Sequence, residues 1–210
     1  MTTALLEPRP IANDDDQFDV RPAIGEVIRV TDPLVAPGER LLVIVTHPDQ
    51  VSDSFRTLIS RAARNGVDVT VACATRGDNH DPERHGEIAG TALAFLQESE
   101  LRSSARALGA RRTLVLGYRR SGTSGSYWPD AICGADPAHL VDDLVAVIQR
   151  VRPDVVVTPD GRDGDPDDVR LRDAAWVAVR HGAAEGTRLY HAPAPTTPWT
   201  RDADELVRVA

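Results

Sequence analysis

The sequence contains no lysine and only two cysteines among its 210 residues. All 24 basic residues are therefore arginines, and they are outnumbered by 32 acidic residues. The net charge of −8 argues against nucleic acid or an anionic membrane surface as the main partner, because both require clustered cations. Two cysteines do not predict a disulfide framework in a chain of this size, and Cys73 lies in an apolar run typical of a buried strand.

Long apolar runs are also lacking. No stretch approaches the roughly 20 apolar residues that span a bilayer. Residues 1–16 show no basic segment followed by an apolar one, as a secretory signal would. We therefore expect a cytoplasmic protein. Apolar residues make up 41% and charged residues 27%, which is the balance of an ordinary globular domain.

The first 39 residues differ in composition from the rest of the chain. They contain several prolines and an acidic run at 14–16. This composition predicts an N-terminal arm that is partly disordered, or that contacts a sheet edge or a partner through residues 26–30. Contact of the arm with a second copy of this chain would make the protein a homo-oligomer, and the sequence leaves this alternative open. The regular pattern of residues 40–210 predicts one α/β domain.

Strand-like apolar runs alternate with helical periodicity between residues 41 and 191. The predicted strands cover residues 41–45, 67–74, 113–116, 154–158 and, as the final one, 189–191. Helical spacing follows near Phe55, Leu101, Asp136 and Asp165, and the last helix ends at about Val179. This alternation predicts a three-layer α/β sandwich with a mostly parallel, Rossmann-like sheet. Ligands of such sheets bind beyond the carboxyl ends of the strands.

Three polar segments follow predicted strands. His47 and Asp49 come after the first, and this pair suits either a metal ligand with a general base or a solvated helix entry. Residues 117–125 are rich in hydroxyls, arginine and glycine, and they suit a polar small molecule or a simple turn. Residues 160–168 carry carboxylates that repel each other unless a cation or an arginine neutralises them. A solvated acidic turn is the alternative for that segment.

Together, three motifs resemble the PIG-L/LmbE-like deacetylase family. They read His-Pro-Asp after the first strand, Leu-Gly-Tyr-Arg-x-Ser-Gly after the third, and Pro-Asp-Val-Val-x-Thr-x-Asp at the fourth. The resemblance covers roughly residues 41–191. It implies the fold of that family, which includes mycothiol-pathway deacetylases and amidases and N-acetylglucosaminyl deacetylases. It also implies zinc-dependent hydrolysis of an amide in the intact family site.

The resemblance implies that two of the family's three zinc ligands are replaced in this chain, at positions 50 and 168. The resemblance makes His47 a zinc ligand and Asp49 the general base, but Gln50 stands where the family has its ligand aspartate. The family's later His-Pro-Asp-His motif reads Asp165-Pro166-Asp167-Asp168 here, so that both histidines have become aspartates. The resemblance therefore implies a divergent member with a degenerate zinc site.

These replacements set the expectation for cofactors. A neutral glutamine oxygen is a weak substitute for carboxylate at zinc, so we expect no cofactor or a non-zinc divalent cation, with zinc disfavoured. A cation would be held by His47, Gln50, Asp165 and Asp168, or by an oxygen-rich set that includes Asp163.

Six further residues are candidate substrate contacts. Arg120 stands where the family has an aspartate, and it can pair with the acidic stretch or bind an anionic group of a ligand. His80 and His85 are loop histidines that could enter the site. The full substrate set is Arg76, Tyr118, Arg119, Arg120, Ser121 and Asp160.

Three functions follow from these observations. The favoured one is a divergent enzyme of specialised metabolism, with zinc-independent chemistry on a polar small molecule and Asp49 and His47 as acid–base groups. The second is a metal-dependent N-deacetylase or amidase with unusual ligands. The third is a non-catalytic pseudoenzyme or partner subunit.

Overall fold

A computed structural model of the protein describes residues 27–29, 34–77, 90–122, 128–162, 164–192 and 205–208. Most of the predicted arm lies outside the described residues, and so do His80, His85 and Asp163. Among the described helices, none is long and apolar enough to cross a membrane.

Seven strands form one sheet in the described part of the chain. They are β1 (Val27–Arg29), β2 (Arg40–Val45), β3 (Asp68–Thr75), β4 (Arg112–Tyr118), β5 (Val155–Pro159), β6 (Arg188–Ala192) and β7 (Glu205–Arg208). Their order is β1-β7-β6-β5-β2-β3-β4. The five strands from β6 to β4 are parallel, while β7 and β1 add an antiparallel edge.

The mostly parallel sheet is confirmed, but the strand at 189–191 is not the last one. Strand β7 pairs antiparallel with both β6 and β1. Its four residues, ELVR, are too few to show a period, which is why the sequence did not indicate it.

The helices lie where the sequence places them, with one difference. They are α1 (Arg56–Arg64), α2 (Gly90–Ala107), α3 (Pro137–Val151) and α4 (Pro166–Gly182), and a short 3-10 helix covers Pro48–Val51. Asp136 and Asp165 cap α3 and α4, and each accepts a backbone N–H at 2.9 Å. Helix α2 begins well before Leu101, because residues 91–100 are rich in alanine, leucine, glutamate and glutamine, which favour helix without a clear apolar period.

Two apolar layers enclose the sheet. Val43 and Val45 of β2 belong to the cluster that contains α1 and α2 residues, whereas Leu42 and Ile44 belong to the cluster of α3 and α4. Burial on both faces explains why β2 reads as a continuous apolar run. The three-layer sandwich is thereby confirmed.

A tight turn after β5 brings α4 back to the carboxyl edge of the sheet. Gly161 has a φ of +67°, and a Cβ at this position would lie 2.9 Å from the backbone nitrogen of Val169. Only glycine fits both the left-handed backbone and this close approach. The turn therefore places the amino end of α4, with its three aspartates, beside the loop that follows β2.

A buried histidine in β6 links stability to pH. His191 is 4% exposed, and its Nδ1 lies 2.7 Å from Thr158 Oγ1. Burial, assisted by the charge of Arg172, lowers its pKa to about 4. In the unfolded chain a histidine titrates near 6.5, so at a pH between these values only the unfolded chain takes up the proton.

We therefore expect stability to fall as the pH is lowered from about 6.5 towards 4, by up to roughly 3 kcal/mol from this residue. Urea unfolding at several pH values checks this. His191→Gln should lose that part of the pH dependence, whereas the exposed His139→Gln should retain it. An unchanged pH profile in His191→Gln would contradict the assignment.

Candidate metal centre

His47 lies at the end of β2 with its ring held in one orientation. The residue is 4% exposed, and its Nδ1 lies 3.2 Å from Thr75 Oγ1. The Thr75 hydroxyl donates its only hydrogen to the Thr46 carbonyl at 2.9 Å. Nδ1 of His47 must therefore carry a hydrogen and donate it to Thr75. The opposite nitrogen, Nε2, is left for other chemistry.

Nε2 of His47 faces two carboxylates at the start of α4. It lies 3.4 Å from Asp165 Oδ2 and 3.8 Å from Asp167 Oδ2, and among the described residues it has no hydrogen-bond partner of good geometry. One ligand atom from each of the three residues lies within 4.8 Å of the others. A neutral imidazole would point its lone pair at carboxylate oxygens, which is repulsive. The arrangement requires a proton on Nε2 or a cation among the three side chains.

These three side chains, His47, Asp165 and Asp167, constitute the candidate metal centre. A neutral imidazole nitrogen and two carboxylate oxygens are donors that Zn²⁺ and Mn²⁺ both accept in proteins. Asp167 is 1% exposed, so a cation would also neutralise a carboxylate that is removed from water. The donor set therefore fits a divalent cation.

The amino end of a helix stabilises this concentration of negative charge. Unpaired backbone N–H groups and the helix dipole favour carboxylates in the first turn of α4. Burial by itself raises the pKa of Asp165, but the His47 ring and Arg120 outweigh it, and the pKa falls to about 2. Asp165 is therefore ionised throughout the physiological range.

Asp167 is tied to the loop that follows β4. Its Oδ2 accepts the Ser121 N–H at 2.9 Å, and its Oδ1 accepts the Cys133 thiol at 3.2 Å. The Cys133 N–H in turn donates to Ser121 Oγ at 2.9 Å. Burial is the main cause that raises the pKa of the Cys133 thiol, so the thiol remains a donor. These bonds hold Asp167 with one oxygen towards His47.

Two of the predicted ligands, Gln50 and Asp168, bind each other. Gln50 Nε2 donates to both carboxylate oxygens of Asp168 at 3.0 Å. Burial raises the pKa of Asp168, although its polar neighbours Thr46 and Gln50 act in the opposite direction. The predicted set His47, Gln50, Asp165 and Asp168 is thus brought into one region. Asp167, and not Asp168, shares the group of closely spaced ligand atoms with His47.

Of the predicted substrate residues, two join the candidate metal centre. Arg120 Nη2 lies 3.3 Å from Asp165 Oδ2, so Arg120 pairs with the acidic stretch, which is one of the two alternatives that the sequence left open. Ser121 is buried and donates to Asp167. Both come from the loop after β4.

The other four predicted substrate residues contact different partners. Tyr118 donates to Asp143 of α3 at 2.7 Å, and burial together with this carboxylate raises its pKa. The remaining three form ion pairs: Arg76 with Glu98 at 3.9 Å, Arg119 with Asp130 at 3.9 Å, and Asp160 with Arg162 at 3.4 Å. A substrate role for these four stays a prediction.

Asp49 lines a polar cleft of about 260 Å³ between the 3-10 helix and α2. The other walls carry several hydroxyl groups and the carboxylate of Glu100. Asp49 does not belong to the group of closely spaced ligand atoms around His47. Its role as a base, which the family resemblance implies, stays a prediction.

Sequence reasoning missed Asp167 and Cys133 as members of the site. The resemblance pointed to the aspartates at the two former histidine positions, 165 and 168. The sequence feature that could have indicated Asp167 is its position in the first turn of α4, two residues after the capping Asp165, where the helix end favours carboxylates. Cys133 has no signal in the sequence, because the contact with Asp167 spans 34 residues.

Comparison with known proteins agrees with the fold and the motifs. Residues 42–179 match the GlcNAc-PI de-N-acetylase (PIG-L) family. A 1D-myo-inositol 2-acetamido-2-deoxy-α-D-glucopyranoside deacetylase from Actinosynnema mirum is 34% identical over 191 residues, covering 84% of this chain and 67% of the relative. The chain spans between 51% and 67% of the length of eight such curated relatives.

Solved structures share the fold at lower identity. A deacetylase–teicoplanin complex superposes with a TM-score of 0.62 at 19% identity, covering 78% of this chain and 73% of the other. The 4-carboxy-2-hydroxymuconate hydratase of Pseudomonas putida superposes with a TM-score of 0.59 at 22% identity, covering 78% and 68%. With a family match over 138 residues and a relative at 34% identity, the chain belongs to the GlcNAc-PI de-N-acetylase (PIG-L) family.

Proposed function

We propose that this chain is a deacetylase-type hydrolase that acts on a polar small molecule carrying an N-acyl group. A single divalent cation would be held by His47 Nε2 and by one carboxylate oxygen each of Asp165 and Asp167. The observation that carries this proposal is the buried Nε2 that faces two carboxylates at 3.4 and 3.8 Å. The relative from Actinosynnema mirum, an amino-sugar deacetylase, supports the substrate class.

The cation, when bound, would polarise the amide carbonyl and lower the pKa of a water molecule. Thr75 keeps the ring of His47 oriented by accepting the Nδ1 hydrogen, which leaves Nε2 as the ligand. Ser121 and Cys133 hold the carboxylate of Asp167 through two hydrogen bonds. Asp49 is the proposed general base that takes the proton of the attacking water.

Arg120 supplies charge at the opening of the site. Its guanidinium pairs with Asp165, and the side chain is 38% exposed. Such a group can leave an exposed ion pair at small cost, since these pairs contribute about 0–1 kcal/mol. We propose that it forks onto hydroxyl or anionic groups of the substrate.

The structure gives no support to the expectation that zinc is disfavoured. That expectation rested on Gln50 and Asp168 as ligands, whereas the ligand atoms that cluster with His47 belong to Asp165 and Asp167. One imidazole and two carboxylates form a donor set known from zinc sites, and the same set also suits Mn²⁺. We propose one of these two ions as the cofactor.

A second candidate function retains the zinc-independent chemistry that the sequence favoured. In this case a proton occupies Nε2, and His47 acts with Asp49 as an acid–base pair on a polar small molecule. Arg120 supports this alternative, because its guanidinium already neutralises Asp165 without a metal ion. The hydratase of Pseudomonas putida shows that this fold also carries a reaction other than deacetylation.

Both candidates are tested by one assay on protein that has been freed of metal by a chelator. The protein is incubated with an N-acetylglucosaminyl inositol or N-acetylglucosamine, and the released amine is measured with and without Zn²⁺ or Mn²⁺. We expect the cation to raise turnover on the order of 100-fold or more, which corresponds to about 2.7 kcal/mol or more of the barrier. Amine release at the same rate with and without the cation would favour the second candidate, and saturable binding of the substrate without amine release would contradict the proposed deacetylase activity.

A further inference from the structure

Gln50 uses both ends of its side-chain amide to join two elements of the candidate metal centre. Its Oε1 accepts the backbone N–H of Thr46 at 2.8 Å and that of His47 at 3.2 Å. Its Nε2 donates to both oxygens of Asp168 at 3.0 Å. The amide thus connects the end of β2 to the first turn of α4, across 118 residues of sequence.

The chemistry of Asp168 explains why an amide stands opposite it. Asp168 is 1% exposed, and an ionised carboxylate so far from water is costly unless donors surround it. The Gln50 Nε2 group supplies two such donor contacts. A glutamate at position 50 would instead bring a second carboxylate to about 3 Å, where two like charges repel strongly in a buried site.

We infer that Gln50 is a positioning residue: its amide, clamped to Asp168, holds the His47 backbone and the start of α4 in register. The inference rests on the proposed function only for the ion that the centre would take. The clamp itself consists of hydrogen bonds between groups of the protein and can be tested without that ion.

Exchanging the amide and the carboxylate between positions 50 and 168 should preserve the hydrogen bond between the two side chains. In metal-free protein, Gln50→Glu should lower the melting temperature by roughly 6 °C or more, because it removes the amide donor and places a second carboxylate against the buried Asp168. Asp168→Asn removes the charge and should have a smaller effect. The double variant Q50E/D168N restores a carboxylate opposite an amide, and the carboxylate introduced by Gln50→Glu can still accept from the same two backbone N–H groups. We expect the double variant to recover at least about half of the loss.

A second readout separates positioning from simple stability. The ring nitrogens of His47, assigned in ¹⁵N-labelled protein with a His47→Gln variant, should shift in the folded single variants and return towards wild-type values in the double variant. Affinity for Mn²⁺ or Zn²⁺, measured by calorimetry, should fall about 10- to 100-fold in Asp168→Asn, which is the usual range when a residue that orients a metal ligand is changed. The affinity should recover in the double variant.

Two outcomes would overturn the inference. One is a double variant whose melting temperature is no higher than that of the less stable single variant. The other is a set of His47 resonances that do not change in any folded single variant. If the wild-type protein binds neither ion while the double variant still recovers stability and the His47 resonances, the clamp stands and the proposed metal-dependent function fails.

Discussion

Replacement of Asp167 by asparagine should abolish tight cation binding, with a loss of affinity of about 100-fold or more. The change removes one anionic ligand and leaves the volume of the side chain almost unchanged. Asparagine can still accept the Ser121 N–H, so the loop after β4 should keep its place. If the protein is the metal-dependent hydrolase that we propose, turnover should fall by a similar factor.

Calorimetric titration of the metal-free variant with Zn²⁺ or Mn²⁺ gives the affinity directly. The matched control is Asp173→Asn, which changes a half-exposed aspartate of the same helix that pairs with Arg172. Circular dichroism and the melting temperature establish that both variants fold. Cation affinity equal to that of the wild-type protein in Asp167→Asn would show that Asp167 is not a ligand.

Asp49→Asn should lower turnover by roughly 100-fold or more, the usual scale for a lost acid–base group. Cation affinity should stay close to the wild-type value, because Asp49 is outside the group of closely spaced ligand atoms. The melting temperature should also change little, since the residue lines a surface cleft.

The rate and the pH profile of amine release check this prediction. The exposed Asp53→Asn serves as the control, because it removes a carboxylate four residues along the chain from the same region. Unchanged turnover in Asp49→Asn would remove this residue from the mechanism. Loss of cation binding in the same variant would instead make it a ligand.

Much of the fold was predictable because burial imposes a period on the sequence. Strand β2 is apolar at every position from Leu41 to Val45, since helices cover both faces of the sheet. Helix α3 has a capping residue at Asp136 and an apolar face with helical spacing, so its position was predictable from the sequence. The edge strand β7 was not predictable, because four residues carry too little pattern.

The site was only partly predictable, and the reason is geometric. The sequence places His47, Asp165 and Asp168 at the carboxyl edge of the sheet, because each follows a strand. The sequence does not show which carboxylate oxygen of the α4 aspartates faces the His47 ring. Asp167 turns Oδ2 towards the ring because the Ser121 N–H binds that oxygen and the Cys133 thiol binds Oδ1, and these contacts span 46 and 34 residues.

The pairing of Gln50 with Asp168 was also outside the reach of the motif comparison. Position by position, each residue reads as the loss of a family ligand. Their mutual contact at 3.0 Å shows that the two changes are complementary, since an amide donor replaces what would otherwise be repulsion between two carboxylates. The two residues that the motif comparison reads as lost ligands thus form a hydrogen-bonded clamp.

The most direct test of the central claim is a crystal structure of the protein soaked in Zn²⁺ or Mn²⁺, with anomalous diffraction recorded at the absorption edge of the metal. We predict one anomalous peak about 2.0–2.2 Å from His47 Nε2 and from one oxygen each of Asp165 and Asp167, with Gln50 still bonded to Asp168. A peak coordinated by Gln50 and Asp168, or no peak at His47 at millimolar metal, would contradict this account.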